Sequence, residues 1–491
     1  MTRLHPLLAL ALCALPTGLH AQTQVAPGDS VPMTRDTLAP AAPAEAWQPP
    51  VLTLERYNED WSTLADPANR TGAPTEKFKY IPLDASGNDY LTTGLEVRLR
   101  DEAYHGNVLG NSAAPNDGYL WVRALPYADL HVGLGGARVR AFVQPIIAYA
   151  VGVQPAASAI DQTRLDMLQA FADVEFNLGE QTTLRLRAGR EMMSLGTERL
   201  VGTRYGPNVP LAFDGGRAIL HHGRLTLNAF YLRPVEPGAG TFDDHTSTGR
   251  ALWGVYATRV IGTAGVDLYY LGYRNKSATF EQGKGREVRH TIGARFFGKA
   301  DGWHWNVEGI GQFGQFTTTG AGSIGAWSFG SEVGRSFASA PLKPDLTLRF
   351  NMASGDKSSK DNHLGTFNAL FPKGKYFGEL SPIGPYNLVN IQPVAVFQLG
   401  HGVSASVMGA AYWRQTTGDG VYDIPGHLLA ASNGSQARFV GKEAEASLQW
   451  RTTSALTLEG SLSWFRSGSF LRESGVGRDI RMIGMEANYR F

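Results

Sequence analysis

The stretch Asp479-Ile-Arg-Met-Ile-Gly-Met-Glu-Ala-Asn-Tyr-Arg-Phe491 decides the fold. One parity carries Ile483, Met485, Ala487, Tyr489 and Phe491; the other carries Gly484, Glu486, Asn488 and Arg490. Alternation of this strictness describes a strand whose two faces meet different surroundings. The same pattern recurs upstream. Leu168, Ala170, Ala172, Val174, Phe176 and Leu178 alternate with Gln169, Asp173, Glu175 and Asn177. After Gly179-Glu-Gln-Thr182 turns the chain, Leu184, Leu186 and Ala188 alternate with Arg185, Arg187 and Gly189.

Working outward, segments such as 225–233, 251–260, 266–274, 288–297, 303–313, 403–414, 440–450 and 456–465 repeat the motif. Short turns join some of them; polar stretches near 190–212, 234–249, 275–286, 353–385, 415–438 and 467–478 join the others. Short turns alternating with long loops are the asymmetry of a transmembrane barrel. From residue 88 to 491 the pattern gives about 18 strands, an even number that returns both ends to the periplasmic side. The expected fold is all-β, a transmembrane antiparallel β-barrel in the bacterial outer membrane. A strand ending in Phe491 is similar to the recognition signal read by the barrel-assembly machinery, which is the expected partner beside outer-membrane lipid. Trp303, Trp305, Trp327, Phe329, Trp413, Trp450, Trp464, Tyr489 and Phe491 fall near strand ends on the apolar parity, as interfacial girdles do.

Composition agrees. The 491 residues include 58 Gly, 10% aromatics and only 18% charged residues, which suits short strands and turns. Lys+Arg number 45 against 44 Asp+Glu, so no global basic bias points to nucleic acid. No run of 18 apolar residues exists, which excludes a helical membrane protein, while a mean hydropathy of −0.19 is compatible with a barrel. At the other end, Arg3 precedes the apolar run Leu7–Leu15, and Leu19-His-Ala21 supplies a cleavage site, so residues 1–21 read as a signal peptide. The single cysteine, Cys13, lies within it. Residues 22–50, with six prolines from Pro27 to Pro50, read as a Pro/Ala-rich periplasmic linker. Residues 51–87 read as a plug, a strand or an ordered lead-in, and the sequence does not choose among them.

If the apolar parity faces lipid, the other lines the lumen. A charge on the lipid face costs about 2–4 kcal/mol at the midplane, which forces the inward assignment. Arg98 and Arg100, Arg138 and Arg140, Asp173 and Glu175, and Arg185 and Arg187 then face inward, with Arg190 and Glu191 at the same strand end. Arginine stays charged and its fork matches carboxylates, so rings of it select anions. The same arginines can instead pair with Asp173, Glu175 and Glu191 and brace the wall. Catalytic signatures are scarce. Gly309-Ile-Gly-Gln-Phe-Gly314 fits a dinucleotide fingerprint by letter but opens no helix. Ser354-Gly-Asp-Lys357 has no companion motif, and no histidines show zinc-ligand spacing. Neither an enzyme, a cofactor nor a metal is expected.

Two stretches carry a family resemblance. Thr183-Leu-Arg-Leu-Arg-Ala-Gly-Arg-Glu191 followed by Gly202-Thr-Arg-Tyr-Gly-Pro-Asn-Val-Pro-Leu-Ala-Phe-Asp-Gly-Gly-Arg217 resembles the core of the alginate export porin family. Leu364-Gly-Thr-Phe-Asn-Ala-Leu-Phe-Pro-Lys-Gly-Lys-Tyr-Phe-Gly-Glu379 is similar to a segment of its broad branch. The resemblance implies an 18-stranded barrel with an arginine-lined constriction passing an anionic polymer. By position, Arg187, Arg190 and Glu191 match the family's strand end, and Arg217 matches the basic residue after its Phe-Asp-Gly element. The expected function is a passive channel for anionic solutes, such as the acidic polysaccharide alginate; an uptake porin for small organic acids or sugars is the alternative.

Overall fold

The computed structural model describes residues 50–491 except 86, 111, 113 and 318–320. The expected signal peptide and all of the linker but Pro50 lie outside the described residues. Eighteen long antiparallel strands form one closed sheet. They are β1 (Tyr90–His105), β2 (Gly118–Leu134), β3 (Ala137–Val151), β4 (Arg164–Gly179), β5 (Thr182–Glu191), β6 (Phe213–His222), β7 (Leu225–Glu236), β8 (Arg250–Ile261) and β9 (Ala264–Phe280). The circuit continues through β10 (Gly283–Ala300), β11 (Trp303–Thr317), β12 (Ala321–Ser336), β13 (Asp345–Ala353), β14 (Leu388–Gly400), β15 (Val403–Arg414), β16 (Phe439–Arg451), β17 (Leu456–Ser467) and β18 (Ile480–Arg490). Each strand pairs with its sequence neighbour, and β18 closes the ring on β1 with Glu96 opposite Arg490 and Arg100 opposite Glu486.

The period-2 pattern sets what each wall presents. Leu186, Leu268, Ile292, Phe313, Leu348, Leu448, Leu462 and Ile483 stay exposed on the outside, while Arg98, Arg123, Arg289, Arg414 and Glu443 are buried inside. Trp303, Trp327, Trp450 and Trp464 also lie on the exposed outer face. Gly309–Gly314 is part of β11, so the letter match to a dinucleotide loop is strand sequence.

One loop expectation fails. Residues 275–286 are mostly strand: β9 and β10 run on as a long hairpin, with a register shift between Asn275 and Ala278. Lys276, Ser277, Gln282 and Lys284 read as a loop because this extension meets solvent on one side. Its other side packs Phe280 edge-on against Phe316 at 5.3 Å.

Candidate functional site

Residues 51–87 form short 3-10 turns and a two-residue strand, Ile81–Pro82, paired to the start of β1. Tyr57 packs against the inward rings of Phe142 and Phe171 at 5.9 and 5.2 Å. Lys79 donates to the Thr93 carbonyl and the Tyr127 hydroxyl at 3.0 and 2.9 Å. The segment therefore lies within the barrel, at the short-turn end.

The wall arginines form a ladder with acids on adjacent strands, because cross-strand register brings opposite charges together. Arg140 holds Asp129 through two bonds of 2.7 and 2.5 Å. Arg187 grips Asp173 through two bonds of 2.8 Å and reaches Glu191 at 2.8 Å. Glu191 also takes Arg217 at 3.2 Å, which separates two guanidinium groups that register places directly opposite each other. Arg185 bonds Glu175 at 2.8 and 2.5 Å. Arg100 is surrounded by Glu102, Glu379 and Glu486. Arg138 stands at the rim, exposed and opposite Glu175.

Arg190 departs from expectation. Register sets it opposite Ala170, one position out of phase with the Arg187–Asp173 pair, so it lies on the outward parity. There it holds Asp214 at 2.8 and 3.1 Å, and Thr246 from the loop after β7 caps the same carboxylate at 2.6 Å. The strand reading counted three arginines in Leu-Arg-Leu-Arg-Ala-Gly-Arg as one set, yet an interval of three reverses the face.

Two loops from the opposite end fold into the lumen. In the loop 192–212, the Tyr205 hydroxyl donates to Glu96 at 2.5 Å and accepts from Arg490 at 2.7 Å and Asn488 at 3.1 Å. Arg98 donates to the carbonyls of Tyr205 and Pro207 at 3.0 and 2.9 Å. The loop 354–387 is anchored across the barrel by Arg289 to the Thr366 carbonyl at 3.1 Å and by Arg100 to Glu379 at 2.9 Å. The loops meet inside: Gly202 donates to Phe371, Phe371 to Leu200 and Lys373 to Glu198, at 2.8, 2.8 and 3.0 Å. Glycine permits the crossing. A Cβ on Gly374 would sit 2.8 Å from Pro207 Cδ, and one on Gly206 would sit 3.1 Å from Lys375 Cγ.

The crossing carries Arg199, Arg204, Lys373 and Lys375, which strand parity does not reach. Arg199 contacts Asn351 at 2.5 Å and Glu308 at 3.3 Å, and Lys375 pairs with Glu379. Arg204 differs: it is half-buried, in a left-handed conformation with φ 49°, and among the described residues it enters no ion pair and its Nε has no partner. These cations lie in or beside the two segments that carry the family resemblance, which was the one signal for them.

Carboxylates of Asp166, Asp243 and Asp244 gather within 4.8 Å of one another beside the loop after β7. Their oxygens accept from the amides of Gly238, Gly240 and Asp244 at 2.9, 2.9 and 3.1 Å, so the group shapes that loop.

A closed barrel with an apolar exterior, a charged interior and inward-folded loops is an outer-membrane channel. Solved structures share the fold. OccAB3 of Acinetobacter baumannii is 10% identical with a TM-score of 0.57, covering 81% of this chain and 99% of that one. A BenF-like porin from Pseudomonas fluorescens Pf-5 is 10% identical at 0.55, covering 82% and 98%. OccK2 (OpdF) of Pseudomonas aeruginosa in complex with glucuronate is 13% identical at 0.53, covering 84% and 99%. No curated protein matches the sequence. The chain belongs to the alginate export family, which it matches over residues 89–482, and its place is the bacterial outer membrane.

Proposed function

We propose that the protein is a passive, non-enzymatic channel for anionic solutes, with an acidic polysaccharide such as alginate as the leading substrate class. The observation that carries this reading is Arg204, a cation at the luminal loop crossing with no ion-pair partner among the described residues. Electrostatic attraction there concentrates carboxylates, and the nearby Asp423 carboxylate keeps binding weak enough for release. Of the residues first expected to line the pore, Arg98, Arg100, Arg140, Arg185, Arg187 and Arg217 are engaged by protein acceptors. Their role in this reading is to fix the wall and the loops. Arg138, exposed at the periplasmic rim, is an entry-side attractor.

A second reading, uptake of small organic acids, is favoured by the loop crossing, which narrows the lumen. The glucuronate of the OccK2 complex belongs to that protein; it suggests mono- and oligouronates as test ligands. Planar-bilayer recordings distinguish the readings. Anion preference that falls in Arg204→Gln, with block by uronate oligomers, supports the polymer. Block by monomers alone supports small acids, and cation selectivity would overturn both.

A further inference from the structure

The segment at the periplasmic mouth occupies the same arginines that face the lumen. The ring of Tyr57 lies 4.2 Å from the guanidinium carbon of Arg187, which also has the ring of Phe171 at 3.8 Å. The Tyr57 carbonyl accepts from Arg140 at 2.6 Å, and its hydroxyl donates to the Met192 carbonyl at 2.6 Å, where the inward loop begins. One residue earlier in the chain, Arg56 donates to the Phe491 carbonyl at 2.8 Å and so ties the segment to the last strand. Glu55 reaches the hydroxyl of Ser194 at 2.7 Å. A single short stretch thus spans from β18 to β5 and sits over the arginine ladder.

We infer that Glu55–Tyr57 is the tip of a displaceable plug and that Tyr57 sets which solutes open the path. The contacts argue for displacement more than for a permanent strut. The segment is held by 3-10 turns and by side chains, and among its described residues only Ile81 and Pro82 join the sheet. Arg140 keeps Asp129, and Arg187 keeps Asp173 and Glu191; what the plug adds to them is a carbonyl and a ring face, both weaker partners for a guanidinium than a carboxylate. A polyanion entering from the periplasm takes the place of the Tyr57 carbonyl on Arg140 and of the Tyr57 ring on Arg187, beside the wall acids these arginines already hold, and gains charge-assisted bonds that Tyr57 does not supply. A neutral solute gains nothing and leaves the plug in place. This rests on the anion-channel reading, but the two can fail separately, because selectivity and occlusion are different measurements.

The test uses the full chain in liposomes or bilayers. In the native protein, trypsin added on the periplasmic side leaves the buried Arg56 and Lys79 uncut, and a uronate oligomer renders them cleavable while a neutral oligosaccharide does not. Tyr57→Ala and the milder Arg56→Gln, each checked for a heat-modifiable gel shift, raise single-channel conductance at least twofold in plain KCl without changing the sign of the reversal potential. Cleavage that ignores the uronate, or native conductance in folded variants, would overturn the plug while leaving anion selectivity intact. Reversed selectivity with increased conductance would support the plug and sink the anion reading. The protease arm needs no variant, so a misfolded substitution does not leave the inference unexamined.

Discussion

The hydroxyl of Tyr205 lies 2.5 Å from Glu96, placing a loop residue against the seam where β1 closes on β18. Glu96 is also held by Arg123 at 2.8 Å and Arg490 at 3.0 Å, so one buried carboxylate joins the wall and the inward loop. Tyr205→Phe should release the loop without opening the barrel. Losing the hydroxyl leaves polar groups short of partners, a cost of about 1–3 kcal/mol. Hydrogen exchange should quicken across 199–208 and channel noise should rise, with the heat-modifiable shift retained. Unchanged exchange would mean that the backbone contacts to Arg98 are sufficient.

Arg187→Gln tests the wall ladder. It removes the partner of Asp173 and one partner of Glu191, leaving buried charge under-compensated, which costs about 3–5 kcal/mol. The temperature of the heat-modifiable transition should fall, and it should fall much further than in Arg204→Gln. Equal thermal shifts would show that the ladder does not brace.

Gly374→Val places branched carbon where Pro207 Cδ would lie 2.8 Å from a Cβ. The two loops should part, and conductance should change without loss of barrel stability. The matched substitution at Gly460, where a Cβ meets open space, should do neither.

The extracellular loops carry a pH response. Burial, aided by the nearby Asp419 and Asp361, pushes the Asp356 carboxyl up to about 6. Its backbone amide donates to Asp419 at 2.9 Å, joining the loop 354–387 to the loop 415–438. A raised carboxyl favours the packed, protonated form, so this junction tightens as pH falls from about 6 towards the ordinary range near 4. Loop gating should be quieter at pH 5 than at pH 7. Asp356→Asn should remove the difference, and a pH dependence that persists would assign it elsewhere.

Leu462 is 59% exposed on the outer face at mid-strand in β17. Leu462→Arg should destabilise the folded barrel by about 2–4 kcal/mol in a lipid refolding titration. A neutral result would mean that this face does not meet hydrocarbon.

The strands from Ala170 to Leu178 and from Ile480 to Arg490 were legible because their alternation is local: each residue reports its own face. Leu168 was not: the register shift beside Pro145 takes it off the outward parity and buries it with Met192 and Val209. Arg190 was not, since its charge suggested company with Arg187 while its position reversed the face. The extended hairpin at 275–286 was missed because a strand beyond the membrane needs no apolar outer face. Tyr205, Arg204 and Lys375 were invisible to parity because loops have none.

The amino-acid sequence by itself determined a two-faced strand pattern, the approximate strand number and the charge inside, since period-2 burial is fixed residue by residue. Only the tertiary structure decided which acid each arginine meets, how the two loops cross through Gly206 and Gly374, and that Tyr57 lies on Arg187. Those are contacts between residues far apart in the chain, set by register and closure, and no local pattern encodes them.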